Sequence, residues 1–185
     1  MSQAIGIRVT PTEGAYDLGA SKFFGTPTIP ACWQDDFYED EIFFCQIRLS
    51  DIAELDTQKR LPHKGYLYIF LRTGGGDYHM EADVRYWAQD PTVAMDDFNT
   101  AVMGYEHLDR GYLMSFVPVD EAEDGTRLFG EPSGWEDEGQ EKLLLQFDPL
   151  DNDMGFLDCL DGYLHFFFGE DEEDLSCVRL QTSYS

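Results

Sequence analysis

Two glutamines stand inside otherwise apolar runs, Gln46 in FFCQIRL and Gln146 in LLLQFDPL. A buried amide needs partners at both its oxygen and its nitrogen. Each glutamine therefore reads either as a hydrogen bond between strands of two halves or as an anchor for a ligand. Lys22 and Arg48 are scarce cations in a chain with 37 acids and 12 bases. Lys22, Gln46, Arg48 and Gln146 make up the candidate ligand-binding set.

The other chemistries are poorly supported. There is no GxSxG elbow, and Ser133 lies in Glu-Pro-Ser-Gly, a turn composition. The histidines are His63, His79, His107 and His165, with no pair at helical ligand spacing. Asp148, Asp151, Asp153, Asp158 and Asp161 cluster around Gly155 and Gly162. An EF-hand register on Gly155 puts Leu150 and Met154 where oxygen ligands belong, so that motif fails. A calcium-binding structural role survives as an alternative in another geometry. Gly74-Gly75-Gly76-Asp77 lacks the Lys-Ser or Lys-Thr of a phosphate loop and reads as a turn. The expectation is no metal, no cofactor and no catalytic residue, with the balance against an enzyme.

Charge points to a class of partner. The net charge is −25, and residues 93–185 hold 23 acids against 4 bases. Such a field repels nucleic-acid phosphates and anionic lipid and attracts a basic protein. Its densest clusters, Glu136, Asp137, Glu138 and Glu170, Asp171, Glu172, Glu173, Asp174, are the candidate partner-binding residues. Cys32, Cys45, Cys159 and Cys177 form no CxxC pair. With no apolar leader and no long apolar run, the chain is expected to be cytoplasmic, with free and mostly buried thiols.

Positioning these residues falls mainly to strands. Residues 3–9, 42–49, 65–72, 80–87, 111–119, 142–147, 162–168 and 177–182 carry the aromatic and branched residues of strands. Ser50 is suited to cap a short helix through Leu55, and residues 93–103 show a weak helical period. Residues 10–40 and 120–141 read as loops. The predicted class is α+β, predominantly antiparallel β, in a single domain over 1–185. An echo between 42–72 and 142–168, each a glutamine strand followed by Gly-Tyr-Leu and aromatics, suggests duplicated strand–connection–strand halves.

Several strings in order resemble the YwqG-like family of bacterial proteins. They are Ser21-Lys22-Phe23-Phe24-Gly25-Thr26-Pro27-Thr28-Ile29-Pro30, then Phe44-Cys45-Gln46-Ile47-Arg48-Leu49, then Leu61-Pro62-His63-Lys64-Gly65-Tyr66-Leu67-Tyr68-Ile69-Phe70. Late in the chain, Leu143-Leu144-Leu145-Gln146-Phe147-Asp148 and Gly162-Tyr163-Leu164-His165-Phe166-Phe167-Phe168 continue the likeness. The resemblance implies a fold and no reaction. The expected function is a non-enzymatic, immunity- or inhibitor-like module that binds a cationic protein. The alternative is a small-ligand binder or hydrolase with an aromatic cleft.

Overall fold

The computed structural model describes residues 4–12, 17–72, 80–96, 98, 106–134, 141–151, 154 and 163–182. Its strands are β1 (Ala4–Pro11), β2 (Lys22–Phe23), β3 (Thr28–Ile29), β4 (Glu41–Arg48), β5 (Tyr66–Arg72) and β6 (Glu81–Trp87). They continue with β7 (Val93–Ala94), β8 (Tyr112–Val119), β9 (Arg127–Leu128), β10 (Leu143–Phe147), β11 (Leu164–Phe167) and β12 (Arg179–Thr182).

The α+β class is overturned. Among the described residues the regular structure is antiparallel β with no α-helix. The segment after Ser50 closes only a 3-10 turn, Leu49–Asp51, because one helical turn cannot offset its own nucleation. Val93–Ala94, at the head of the weak helical period, pairs with Thr28–Ile29 instead. The branched residues Thr92 and Val93 suit that extended backbone.

Ten strands form one sheet in the order β12-β11-β10-β9-β1-β8-β2-β4-β5-β6. The sheet curls until its edge strands β6 and β12 approach, so the barrel is nearly closed. Its interior is aromatic. Phe23, Phe44 and Phe147 meet edge to face at centroid distances of 5.1 to 5.4 Å, all fully buried. A second cluster lies on the opposite face of β4 and β5, where Phe43, Tyr66, Tyr68 and Phe70 pack under Trp33 and Phe37.

The two halves of the sheet repeat one another in register at their glutamines. Lys22 pairs with Gln46 and Gln46 with Tyr68. Arg127 pairs with Gln146 and Gln146 with His165. Both glutamine strands carry a register shift just upstream, between Phe43 and Cys45 and between Leu143 and Leu145. The first strands cross over. β1 pairs with β8 from Ala4↔Val119 to Pro11↔Tyr112 and then with β9, while β8 pairs with β2. The ladder is complete where β1 meets β8, and on the far side β6 and β12 come together without a ladder between them.

Candidate functional site

One eight-residue pattern occurs twice. Ser21-Lys22-Phe23-Phe24-Gly25-Thr26-Pro27-Thr28 is matched by Thr126-Arg127-Leu128-Phe129-Gly130-Glu131-Pro132-Ser133. Phe24 (φ 51°) and Phe129 (φ 64°) both lie in the left-handed region that favours glycine. Each is held by its amide, which donates to Phe44 O at 2.9 Å or to Leu144 O at 3.1 Å. The following glycine is also left-handed and tightly enclosed. A Cβ on Gly25 would stand 2.8 Å from the Gly111 backbone, and one on Gly130 would stand 2.5 Å from the Glu121 carbonyl oxygen.

These turns deliver polar groups to the glutamines. Gln46 Nε2 donates to the carbonyls of Leu18 (3.1 Å) and Ala20 (2.9 Å). Its Oε1 accepts from the Thr28 amide at 3.0 Å, with the Thr28 hydroxyl 2.9 Å away. Gln146 Nε2 donates to Gly125 O (2.9 Å) and Ser133 Oγ (3.1 Å), and its Oε1 accepts from the Ser133 amide (2.7 Å). His165 Nε2 lies 3.1 Å from the same oxygen. Both amides are fully buried and satisfied at both ends by the protein. They pin loops to the sheet and leave little capacity for a ligand.

Beside each glutamine lies a buried cation. Arg127 donates Nε to Glu123 O (2.6 Å) and Nη1 to Phe129 O (2.5 Å), and Nη2 also reaches Glu131 O. Backbone carbonyls thus receive its charge, and burial lowers its pKa. Lys22, fully buried at the matching place, is drawn down to about 7 by burial, with Asp17 opposing. His165 falls to about 4 through burial and the nearby Arg127. It is therefore neutral at physiological pH, which suits a donor to Gln146 Oε1.

Two residues beyond each glutamine, the halves diverge at the surface. The Arg48 amide donates to Ser21 Oγ (2.9 Å), as the Asp148 amide donates to Thr126 Oγ1 (3.1 Å). The backbone frame is shared and the charge is reversed. Arg48 forms an ion pair with Asp17 and a hydrogen bond with Tyr66, and both raise its pKa further. Tyr66 donates to Asp90 Oδ1 at 3.1 Å. These groups wall a pocket of about 380 Å³ with Gly19, Gly65 and Pro91. In the other half, burial raises the Asp148 carboxyl and the charges of Asp151 and Asp124 add to it. The same three acids act on Tyr163, which stands where Tyr66 stands.

Of the predicted ligand residues, Lys22, Gln46 and Gln146 are thus framework, while Arg48 faces the pocket. Glu136, Asp137 and Glu138 lie outside the described residues. Glu170, Asp171, Glu173 and Asp174 are exposed, and Glu172 is half-buried against Lys142. Asp171 and Asp174 cap their own turn by accepting from the amides of Glu173 (3.0 Å) and Ser176 (3.1 Å). Glu172, Glu173 and Asp174 also form one wall of a groove of about 1230 Å³ at the barrel seam, opposite Lys59, Arg60 and Arg85. Among the described residues, no group of three His, Cys, Asp or Glu side chains could hold a metal ion. Cys45 is buried, whereas Cys32 and Cys177 are exposed, against the expectation of mostly buried thiols.

The sequence reading missed Thr28, Arg127, Ser133, Tyr66 and Asp90. The recurrence of the eight-residue pattern was the available signal for Arg127 and Ser133. No protein-family model matches the chain, and the comparison with curated proteins likewise gives no match.

Proposed function

We propose that the chain is a non-enzymatic binding module for a basic protein, and that its YwqG-like resemblance belongs to that reading. The observation that supports it is how the cations are used. Arg8, Arg48, Arg60, Arg72, Arg85, Lys142 and Arg179 each lie against a carboxylate, and Lys22 and Arg127 are buried. With 37 acids against 12 bases, the surface keeps a large carboxylate surplus after those pairs form. Glu170, Asp171, Glu173 and Asp174 present part of it on one exposed turn.

A surface of this kind speeds encounter with a cationic partner and makes the rate fall with salt. In the immunity- or inhibitor-like form, its carboxylates occupy the positions on a nuclease that nucleic-acid phosphates would fill. The test is capture from the native host at low and then high salt, followed by titration of the purified partner. A basic partner whose association slows steeply with salt, and slows again for Glu170→Lys with Glu173→Lys, is the expected result. Salt-insensitive binding, or the absence of any basic partner, overturns the reading.

A further inference from the structure

The Arg48–Tyr66 pocket lies apart from the exposed acidic turn and has a chemistry of its own. It is small, about 380 Å³, and rigidly built. Arg48 is fixed through its amide on Ser21 Oγ, and Ser21 Oγ donates to Asp51 at 2.7 Å. Gly19 forms a close wall, since a Cβ there would lie 2.6 Å from the Tyr66 hydroxyl and 2.8 Å from Arg48 Nη2. Gly65 (φ 80°) brings the chain against the Trp87 carbonyl, where a Cβ would come within 2.3 Å. Pre-formed walls of this kind are what small polar groups bind to.

The pocket's wall carries two carboxylates, Asp17 and Asp90, and one cation, Arg48. Arg48 is already held by Asp17 and Tyr66. Asp90 takes only the Tyr66 hydroxyl among the described residues. Burial raises the Tyr66 pKa, so the phenol remains a donor to Asp90. One row further in, Tyr68 is fully buried, and its hydroxyl has no hydrogen-bond partner among the described residues. Tyr66 and Asp90 both lie within electrostatic reach of that hydroxyl. A carboxylate with no ion pair among the described residues, set beside the Tyr66 ring in the pocket wall, favours a planar cation rich in donors. An anion would have to displace Asp17 from Arg48 inside a field of −25.

We propose that this pocket receives the guanidinium head of an arginine side chain, with Asp90 as its carboxylate partner and Tyr66 as its aromatic wall. The inference rests on the basic-partner reading and supplies its specific contact, one arginine of the partner set against Asp90 at the pocket mouth. The test uses three capped amino acids: N-acetyl-arginine amide, N-acetyl-lysine amide and N-acetyl-citrulline amide. Citrulline keeps the shape of arginine and loses the charge. Titrations are followed through the backbone amide NMR signals of Gly19, Ser50 and Gly65, with the thermal midpoint as a check of folding.

The expected result is saturable one-to-one binding of the arginine amide with a Kd on the order of 1 mM. Lysine amide should bind several-fold more weakly, and citrulline amide should leave the signals unmoved. Asp90→Asn should weaken the arginine amide at least tenfold, and Asp17→Asn, which leaves Asp90 in place, should have a smaller effect. Binding of citrulline as tightly as arginine, shifts spread over the acidic surface, or an Asp90→Asn variant that is folded and binds normally each overturn the proposal. If a partner docks salt-dependently and ignores Asp90→Asn, the pocket inference fails alone. If arginine amide binds and no partner exists, the basic-partner reading fails alone.

Discussion

The half built around Gln46 and the half built around Gln146 share a frame and differ in what they place on it. The shared parts are main-chain contacts: the left-handed Phe-Gly turn, the bulged strand and the glutamine that holds a loop. The differing parts are side chains that meet that frame: Lys22 against Arg127, Tyr68 against His165 and Arg48 against Asp148. Where hydrogen bonds run to the backbone, only a few residue types satisfy them. Where a side chain faces a loop or solvent, even the sign of its charge is free to change. The halves therefore separate what the fold demands from what a function could exploit.

The glutamines test the shared frame most severely. Gln46→Leu and Gln146→Leu each leave buried loop carbonyls and amides unsatisfied. Each is expected to cost about 3 kcal/mol or more in chemical denaturation. Closely similar losses uphold the equivalence, and a loss in only one half breaks it.

The histidine gives the next effect. The His165 pKa is about 4 in the fold, against an ordinary value of 6.5, so the folded state binds fewer protons between those values. Stability should rise with pH across that window and be lost as pH falls through it, by up to about 3 kcal/mol. His165→Tyr, which copies Tyr68, should remove that slope when the two unfolding curves are compared. Lys22, drawn down to about 7 from 10.5, should likewise make stability rise from pH 7 toward 10.5. Lys22→Arg, whose side chain stays charged, should flatten that rise.

Exchanging the cations in the other direction is expected to cost less. Arg127→Lys loses the fork that reaches three carbonyls, for about 2 kcal/mol in thermal or urea unfolding. An Arg127→Lys variant as stable as the parent would show that the carbonyl cage accepts either cation. The smallest effect belongs to the surface. Arg48→Asp gives the first half the sign of the second and should change stability by under about 1 kcal/mol. Its mark should instead be a Tyr66 titration, followed through the NMR signals of labelled tyrosine rings, closer to that of Tyr163.

The long strands were legible because their aromatic and branched residues declare themselves. Residues 65–72 and 80–87, for example, become Tyr66–Arg72 and Glu81–Trp87. The strands β2, β3 and β9 were not, since two residues have no periodicity to read. They sit in stretches rich in glycine and proline whose extended state is decided by neighbours distant in sequence. Of the segment with the weak helical period, residues 97 and 99–103 lie outside the described residues, and at its head tertiary pairing of Val93–Ala94 outweighed local preference. The residues of the site divide likewise. Arg48 stood out as a rare cation beside a glutamine. Asp90 lies in the Ala-Gln-Asp-Pro connection, and only the three-dimensional return of that loop to Tyr66 gives it a role.

The crossing of β1 and β8 has a consequence for how the chain is made. Ala4–Pro11 is synthesised about a hundred residues before its ladder partners, Tyr112–Val119 and Arg127–Leu128. The opening strand must wait, with Ile5 and Ile7 exposed, until most of the chain has been synthesised. Contacts of such long sequence separation slow folding and lengthen the time apolar strand edges stand open. A chaperone engaging the nascent β1 segment, or slower refolding than a sheet of hairpins of equal length, is where that crossing should be felt.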